Sequence, residues 1–330
     1  MRHKPQYARR MARIGILALG GLLALLGTVH GSSAAQPEPP AVPLPATLEA
    51  AGFQMRHVGY DLYWLSSGFQ QTIFLVHDHG VIAVDAPPSM IDGYLEAIAS
   101  VTDRPVTHVV YSHGHRDHIG AADRFPATAV RVAQQATLDY LERANDPRRP
   151  LPTLTFHRDL RLEVGGQVLE LSYRGPNHMS GNSFIWAPRQ RVLCLMDFAF
   201  TGSAPFPYLG HAEDIPSFLE HHDFALAYDF SLFVTGHIAE PATRADIELQ
   251  RAYLHDLRDH TDAVLEEITI PSTAARLGEV PIMRVVATFL DDVAREVERR
   301  MLATWRGRWP GVEAVTRENA VPMIQSRRVD

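Results

Sequence analysis

The sequence predicts an α/β fold in which strands and helices alternate up to about residue 240 and a helical segment follows. Short apolar runs bounded by Gly, Pro, Asn and Asp recur between Gly59 and Val234, a pattern typical of strands. Beyond Thr243, two long stretches carry apolar residues at helical spacing without a strand signal. The composition, 46% hydrophobic and 21% charged, agrees with an ordinary soluble globular protein.

The predicted elements follow one another in a regular order. The predicted strands cover residues 62–65, 71–76, 81–84, 106–111, 154–156, 160–164, 168–173, 183–186, 192–196 and 232–234. The predicted helices cover residues 91–101, 119–123, 133–145, 214–228, 244–268 and 281–305. Hairpin turns are expected at His79-Gly80 and Gly165-Gly166.

The N-terminal residues 1–35 are typical of an export signal. Basic residues up to Arg13 precede the uncharged stretch 14–29, and small residues, among them Ser33 and Ala35, follow it. The apolar core is shorter than the ~20 residues of a spanning helix, so we expect cleavage after Ala35 and no stable membrane insertion. An uncleaved anchor is the alternative. The signal predicts a periplasmic or secreted protein.

Three further segments are predicted after the signal. A Pro-rich linker covers residues 36–47, and a globular domain covers residues 48–243. A helical extension, residues 244–330, is expected to pack on that domain, because its apolar residues recur along one helix face. The alternative is that this face forms a homodimer.

Charge and composition exclude several classes of function. Removal of residues 1–35 takes away five of the 31 basic residues and none of the 38 acidic ones, which leaves a formal net charge of −12. Nucleic acid is therefore not expected as a partner. Lys4 is the only lysine, so Schiff-base and P-loop chemistry are excluded from the rest of the chain. The single cysteine, Cys194, excludes an internal disulfide and a cysteine-rich metal site.

Metal-ligating residues cluster directly after a predicted strand. The chain has 17 histidines, and residues 112–118 contain His113, His115, Asp117 and His118. Side chains alternate along an extended loop, so His113 and His115 point the same way and can bind one ion. Asp117 and His118 lie past the turn and are expected to face a second site. Imidazole and carboxylate favour zinc, although iron or manganese also suits them.

Three later residues each follow a predicted strand. His178 lies in the loop 175–182, Asp197 ends the strand that contains Cys194, and His237 follows the strand 232–234. Taken singly, each also has a structural explanation. Ligands on rigid strand ends are held accurately and remain open to solvent, so we expect these three to join the first cluster.

With these residues the sequence resembles the metallo-β-lactamase superfamily of hydrolases. The five motifs of the family occur in order between roughly Gly59 and Glu240: Asp85, His113-x-His115-x-Asp117-His118, His178, Asp197 and His237. The resemblance implies an αββα sandwich, with residues 48–243 as a catalytic domain and two metal ions at one edge of the strands. It implies these ligands: His113, His115 and His178 for one ion, Asp117, His118 and His237 for the other, and Asp197 as the bridge. Asp85 would then support the ligands from behind.

Differences between branches of the family narrow the expected activity. Its β-lactamases have a cysteine or a non-coordinating serine in place of Asp197, and many bind the substrate carboxylate with a lysine; this chain has neither feature. Oxygen-reducing di-iron members usually have glutamate in place of His115. RNA-processing members carry a nuclease insertion and a basic surface. The remaining pattern resembles glyoxalase-type thioesterases and lactonases.

We therefore expect an exported di-zinc hydrolase that cleaves an ester, lactone, thioester or amide of a small molecule. Two divalent ions lower the pKa of a shared water, which makes hydroxide available at ambient pH. Asp117 is expected to orient that hydroxide or to transfer a proton, and Tyr208 or Tyr111 to donate to the oxyanion. The alternatives are an iron-dependent oxidoreductase of the same fold and a β-lactamase-type amide hydrolase. His221 and His222, in a predicted helix, are expected to be solvated.

Overall fold

The computed structural model describes residues 40–329, and two β-sheets form the centre of this part of the chain. The predicted export signal, residues 1–35, lies outside the described residues, as do residues 36–39 of the predicted linker. From residue 40 to residue 329, no helix is long and apolar enough to cross a membrane.

The first sheet has seven strands that lie in the order of the sequence. They are β1 (Gln54–Gly59), β2 (Leu62–Ser66), β3 (Gln71–His77), β4 (Gly80–Val84), β5 (Val106–Val110), β6 (Val130–Gln134) and β7 (Leu154–Phe156). Strands β1 to β4 pair antiparallel, and β4 to β7 pair in parallel. β3 and β4 are buried at every position, as expected for strands that are covered on both faces.

The second sheet has five strands in the order β12-β11-β10-β9-β8. They are β8 (Asp159–Val164), β9 (Gln167–Ser172), β10 (Phe184–Ala187), β11 (Val192–Cys194) and β12 (Leu232–Val234). Only β11 and β12 pair in parallel within this sheet. Strands β9, β11 and β12 consequently run in one direction, and their carboxyl ends meet at one edge.

Ten helical segments surround the sheets in the described residues. They are α1 (Ala46–Ala50), α2 (Ile91–Val101), α3 (Arg116–Ile119), α4 (Gln135–Ala144), α5 (Pro207–His211), α6 (Ile215–Ala227), α7 (Arg244–Glu267), α8 (Ile270–Leu277), α9 (Ile282–Trp305) and α10 (Val312–Val329). A 3-10 turn covers Ala122–Arg124. The residues of α5 from Tyr208 onward are left-handed, so this segment is a left-handed turn.

Three apolar layers show how these elements stack. Ile73 and Leu75 of β3 pack between the two sheets, whereas Phe74 points to the opposite face, where it packs with Tyr94 of α2. On the outer face of the second sheet, Phe233 shares a core with α6 and α7. The order helix, sheet, sheet, helix is the αββα sandwich that the family resemblance implied, and that prediction is confirmed.

The C-terminal helices belong to the core on the outer face of the second sheet. Tyr253 of α7 and Trp305 of α9 meet edge to face with ring centroids 5.4 Å apart. The indole nitrogen of Trp305 also donates to Asp256 Oδ2 at 2.9 Å, so its polar atom is satisfied although the ring is buried. The predicted helical segment is therefore present, and its buried face lies against the sandwich.

Several elements differ from the sequence prediction. Strand β6 was not predicted, and its last two residues were assigned to the start of the helix 133–145, because no turn residue separates the strand from α4. Gln134 ends the strand, and its side chain accepts from the N–H of Ala136 to cap the helix. Helix α10 lies inside the predicted helical extension 244–330, but its own bounds were not predicted; it contains Pro322, a residue that usually ends a helix. Strand β1 was also missed. Part of the predicted linker pairs with it, since Val42 N–H donates to Met55 O at 3.0 Å.

The expectation that His221 and His222 are solvated is wrong, because both are fully buried in α6. His222 Nδ1 donates to Phe218 O at 3.0 Å, and Gln250 Nε2 donates to His222 Nε2 at 3.0 Å. Adjacent helix positions do point apart, but α6 lies between the second sheet and α7, so both directions lead into protein. Burial lowers the pKa of His222 to about 3.

Buried His222 makes stability depend on pH. An unfolded histidine titrates near pH 6.5, so acid protonates the unfolded chain first, and the stability present above that pH is lost as the pH falls from about 6.5 to about 3. We expect His222→Phe to remove this contribution, making the free energy of unfolding flatter by about 1.4 kcal/mol per pH unit in that window. Urea denaturation of the metal-free protein at pH 4, 5, 6 and 7 measures it. His79→Gln, at an exposed position, should keep the wild-type slope; equal slopes for wild type and His222→Phe would contradict the assignment.

Candidate metal centre

The loop that carries the first histidines is fixed by Asp85, at the end of β4. Its two carboxylate oxygens accept from the N–H and the hydroxyl of Ser112, both at 2.7 Å. Its own N–H donates to Val110 O, which ties the end of β4 to the end of β5. Asp85 has a φ of 56°, in the left-handed region that Asp tolerates better than most residues. The chain therefore turns sharply at the sheet edge and presents residues 113–118 there.

Four side chains form the first group: His113, His115, His178 and Asp197. One atom from each lies within 4.8 Å of the others. Ser112 Oγ donates to Asp85, so at 3.0 Å it accepts the Nδ1 proton of His113. The other nitrogen of that ring, Nε2, then carries a lone pair, and it is buried without a hydrogen-bond partner.

A second group joins Asp117, His118 and His237 to the same Asp197. His237 Nε2 lies 3.1 Å from Asp117 Oδ2 and 3.3 Å from His118 Nε2. His118 Nδ1 lies 3.5 Å from Asp85 Oδ2, which orients the ring from behind. The side chain of Asp117 is 53% exposed, whereas the other members are nearly buried, so Asp117 faces the entrance.

Asp197 contacts both groups through different oxygen atoms. Its Oδ2 lies 3.1 Å from His178 Nε2 and 3.6 Å from His113 Nε2. Its Oδ1 lies 3.0 Å from His118 Nε2 and 3.2 Å from His237 Nε2. The residue follows β11 with a φ of 58°, and its N–H donates to Thr235 O beside β12. This carboxylate is therefore placed to bridge two ions.

Burial and neighbouring charges set the protonation of the two groups. Burial, helped by the nearby histidines, keeps the pKa of His113 well below its usual value and lowers the pKa of His115 to about 4. Burial also opposes charge on His118, but Asp197 and Asp85 outweigh it and raise the pKa of His118 well above its usual value. Burial opposes charge on Asp197 as well, but His118 and His178 outweigh it and hold the pKa of Asp197 far below its usual range. His113 and His115 thus offer neutral imidazoles beside a carboxylate.

The donor set fits a pair of divalent cations. His115 Nδ1 and His178 Nε2 face each other at 2.9 Å, and His113 Nε2 is buried nearby without a partner. Nitrogen lone pairs that converge on one point beside a carboxylate form an arrangement that a divalent metal satisfies. The structure thus brings together all seven side chains that the sequence singled out as ligands, with Asp85 directly behind them.

Comparison with known proteins places this geometry in a family. The sequence profile of the Metallo-beta-lactamase superfamily matches residues 67–249. The chain belongs to the metallo-beta-lactamase superfamily. The superfamily consists largely of hydrolytic enzymes that bind divalent metals, often zinc.

Two curated relatives show how far the sequence similarity extends. The chain is 31% identical over 198 residues to the 2,4-dinitroanisole O-demethylase subunit alpha of Nocardioides sp. (strain JS1661), covering 57% of this chain and 59% of that protein. It is 25% identical over 125 residues to the metallo-beta-lactamase type 2 of Bacillus cereus, covering 36% and 48%. The chain thus spans between about half and three fifths of the length of these relatives.

Solved structures share the fold. The metallo-beta-lactamase from Pontibacter korlensis superposes with a TM-score of 0.54 at 17% identity, over 62% of this chain and 99% of that one. The sec-alkylsulfatase Pisa1 from Pseudomonas sp. superposes with a TM-score of 0.61 at 16% identity, over 83% of this chain and 50% of that one. At these identities the likeness concerns the fold alone.

Three aromatic side chains, Phe69, Phe200 and Phe206, form what we call the apolar wall beside the second group of this superfamily site. The ring of Phe69 lies 5.3 Å from the ring of His237 and is 59% exposed, although it is a large apolar residue. Phe206 lies 6.1 Å from the same ring and 4.6 Å from Phe200. Phe69 is not among the site residues expected from the sequence, although the sequence offers a signal for it: an aromatic residue in the turn between two predicted strands.

The two tyrosines proposed as oxyanion donors have different surroundings. The Tyr111 hydroxyl donates to Pro150 O at 2.9 Å, and burial raises its pKa. Tyr208 is half exposed, and its ring lies 5.8 Å from that of His211. Within the described residues, no hydrogen bond or ring contact joins Tyr208 to the seven candidate ligands. An oxyanion role for Tyr208 thus remains a prediction without support from this geometry.

Buried amides that sequence reasoning missed hold the ligand loops. The side-chain nitrogen of Gln71 lies 3.1 Å from His237 O and 2.9 Å from Ile238 O, and its oxygen accepts from the indole nitrogen of Trp64. Asn177 Oδ1 accepts from the N–H of His178 at 2.7 Å. A polar residue at the start of an otherwise largely apolar strand was the available signal for Gln71.

The bridging geometry predicts the effect of removing the shared carboxylate. We expect the wild-type protein to bind two zinc ions. Asp197→Ala should weaken the binding of at least one of them by more than the roughly tenfold to hundredfold that loss of an outer-shell residue typically costs, because both groups lose a charged ligand. Isothermal titration calorimetry of the metal-free protein with zinc measures the number of ions bound and their affinities. Asp229→Ala, which removes an aspartate with an 88% exposed side chain, is the matched control. Two ions bound with unchanged affinity in Asp197→Ala would show that Asp197 is not a ligand.

Proposed function

We propose that the protein is a di-zinc hydrolase that cleaves an ester, lactone, thioester or amide of a small molecule. The observation that carries the proposal is the division of the Asp197 carboxylate between two histidine groups, with one oxygen on each side. Seven ligand residues around two positions leave coordination open for substrate, whereas a structural zinc site is closed by four ligands. The superfamily membership supports the same reaction class.

The roles of the site residues follow from their positions. When bound, the two ions lower the pKa of water and polarise the substrate carbonyl. Asp117 has one oxygen 3.1 Å from His237 Nε2 and a half-exposed side chain, so we assign it the transfer of a proton between the site and the leaving group. The nearby histidines outweigh burial and lower the pKa of Asp117, which keeps it ionised as a base.

The surroundings of the metal centre favour an apolar substrate. Phe69 and Phe206 beside His237 provide contacts for an apolar or aromatic group. No lysine occurs after Lys4, so no ammonium group binds a substrate carboxylate, and a β-lactam is disfavoured for that reason. The proposed substrate is thus a neutral, largely apolar molecule. Export to the periplasm or the medium, supported by the N-terminal sequence pattern, is part of the proposal.

A second candidate is favoured by the similarity to an O-demethylase subunit. In that case the substrate is an activated aryl methyl ether. Attack by water yields the phenol and methanol, with no change of oxidation state. An iron-dependent oxidative route consumes dioxygen and two electrons, and yields the phenol, formaldehyde and water. The intact His115 disfavours the iron route, because oxygen-reducing di-iron members of the superfamily usually have glutamate at that position.

The hydrolase proposal predicts turnover by the zinc-loaded protein. In a panel of aryl esters, lactones, thioesters and β-lactams, we expect activity on at least one ester, lactone or thioester. Asp117→Asn should lower kcat by about a hundredfold or more through loss of the acid-base group, with little change in KM. Asp92→Ala, at an aspartate whose side chain is 84% exposed, should behave as wild type. Wild-type activity in Asp117→Asn would contradict the assigned role.

The products formed from an aryl methyl ether distinguish the second candidate. Zinc-loaded protein that releases methanol without oxygen uptake supports hydrolytic ether cleavage. Iron-loaded protein that consumes oxygen and releases formaldehyde supports the oxidative route. Absence of both products, together with ester hydrolysis, supports the first proposal alone.

A further inference from the structure

Two buried amide side chains of the C-terminal helices hold the loop that follows Asp197. We call residues 198–211 the Asp197 loop. Gln250 of α7 accepts from Phe200 N–H at 3.1 Å and donates to Phe198 O at 2.7 Å. Asn319 of α10 accepts from Leu209 N–H at 2.9 Å and donates to Pro205 O at 3.1 Å. Each amide thus accepts one main-chain hydrogen bond and donates another, in a loop that forms no β-bridge within the described residues.

The segment that Asn319 binds includes a strained stretch of backbone. Tyr208, Leu209, Gly210 and His211 have φ values of 61°, 56°, 61° and 59°. Only glycine adopts this conformation without steric cost, so three of the four residues are strained. Leu209 lies inside that stretch, and its N–H donates the hydrogen bond that Asn319 Oδ1 accepts. The hydrogen bond from Leu209 N–H to Asn319 Oδ1 therefore opposes the tendency of the turn to unwind.

The segment between Pro205 and Leu209, which Asn319 binds at both ends, carries part of the apolar wall. Phe206 lies between the two points that Asn319 binds, Pro205 and Leu209, and its ring approaches that of His237 at 6.1 Å. Gly210 packs against the Phe200 ring so closely that an added Cβ would lie 2.8 Å from it. Asn319 is fully buried, so its amide has no role toward solvent.

We propose that Asn319 is a positioning residue of the metal centre. By binding the main chain on both sides of Phe206, it holds that ring against His237, and the helical extension thereby completes the wall that receives the substrate. The contact with substrate rests on the proposed hydrolase function, whereas the positioning of the loop is independent of that function.

The test compares Asn319→Ala with a matched loss of a buried amide elsewhere. Gln167 is buried and donates to Tyr60 O and Val76 O, both at 2.9 Å, in contact with β3 and remote in sequence from the loop. In Asn319→Ala we expect chymotrypsin to cleave the folded protein after Tyr208, while two zinc ions still bind. For an apolar ester, KM should rise about tenfold with kcat nearly unchanged, since binding contacts are lost without loss of the ligands. Gln167→Ala should lose stability without loop cleavage or a change in KM.

A double-mutant cycle separates positioning from general destabilisation. Phe206→Ala should raise KM by itself, and Asn319→Ala should add nothing to it, because both act through one ring. Independent, additive effects would overturn the proposal. So would a folded Asn319→Ala protein with a protease-resistant loop and unchanged KM.

Hydrogen exchange of the wild-type protein decides the matter if Asn319→Ala does not fold. The amide of Leu209 should exchange as slowly as the buried amides of α10, and exchange as fast as that of an exposed loop would overturn the proposal. If the wild type hydrolyses no ester, the proposed function fails, yet the cleavage and exchange results still decide whether Asn319 holds the loop.

Discussion

The carboxylate of Asp197 is the contact on which the site depends. Four imidazole nitrogens lie between 3.0 and 3.6 Å from its two oxygens, two on each side. A buried carboxylate is costly unless it is neutralised, and a proton on His118 or a pair of cations provides that neutralisation. The fold delivers the required geometry because β11 and β12 run in parallel, which places Asp197 and His237 side by side.

Rigid support surrounds this carboxylate in successive layers. Asp85 and Asp197 both take up left-handed backbone at strand ends, and each is held there by main-chain hydrogen bonds to the neighbouring strand or to the segment directly after it. Such strain persists at sites where the surrounding structure fixes the conformation. Outside these residues, buried amides replace missing strand partners: Gln71 binds the His237 loop, and Gln250 and Asn319 bind the Asp197 loop.

The sequence predicted much of the fold because strand alternation and glycine turns are local signals, as the agreement at β3, β4, α2 and β12 shows. It located the ligands because metal binding needs His and Asp at strand ends. Prediction from the sequence failed where contacts between distant segments determine the burial or the role of a residue. The spacing of apolar residues in the sequence cannot show that α7 covers α6 and thereby buries His222. The bounds of α10 were not predicted, because Pro322 lies inside that helix. The roles of Phe69 and Asn319 depend on contacts across 168 and 110 residues.

Anomalous diffraction from crystals of the zinc-loaded protein tests the central claim most directly. Data collected on both sides of the zinc absorption edge should show two peaks about 3.5 to 4 Å apart, one on each side of the Asp197 carboxylate. The first should contact His113, His115 and His178, and the second Asp117, His118 and His237. A single peak, or two peaks of which only one touches Asp197, would contradict the account.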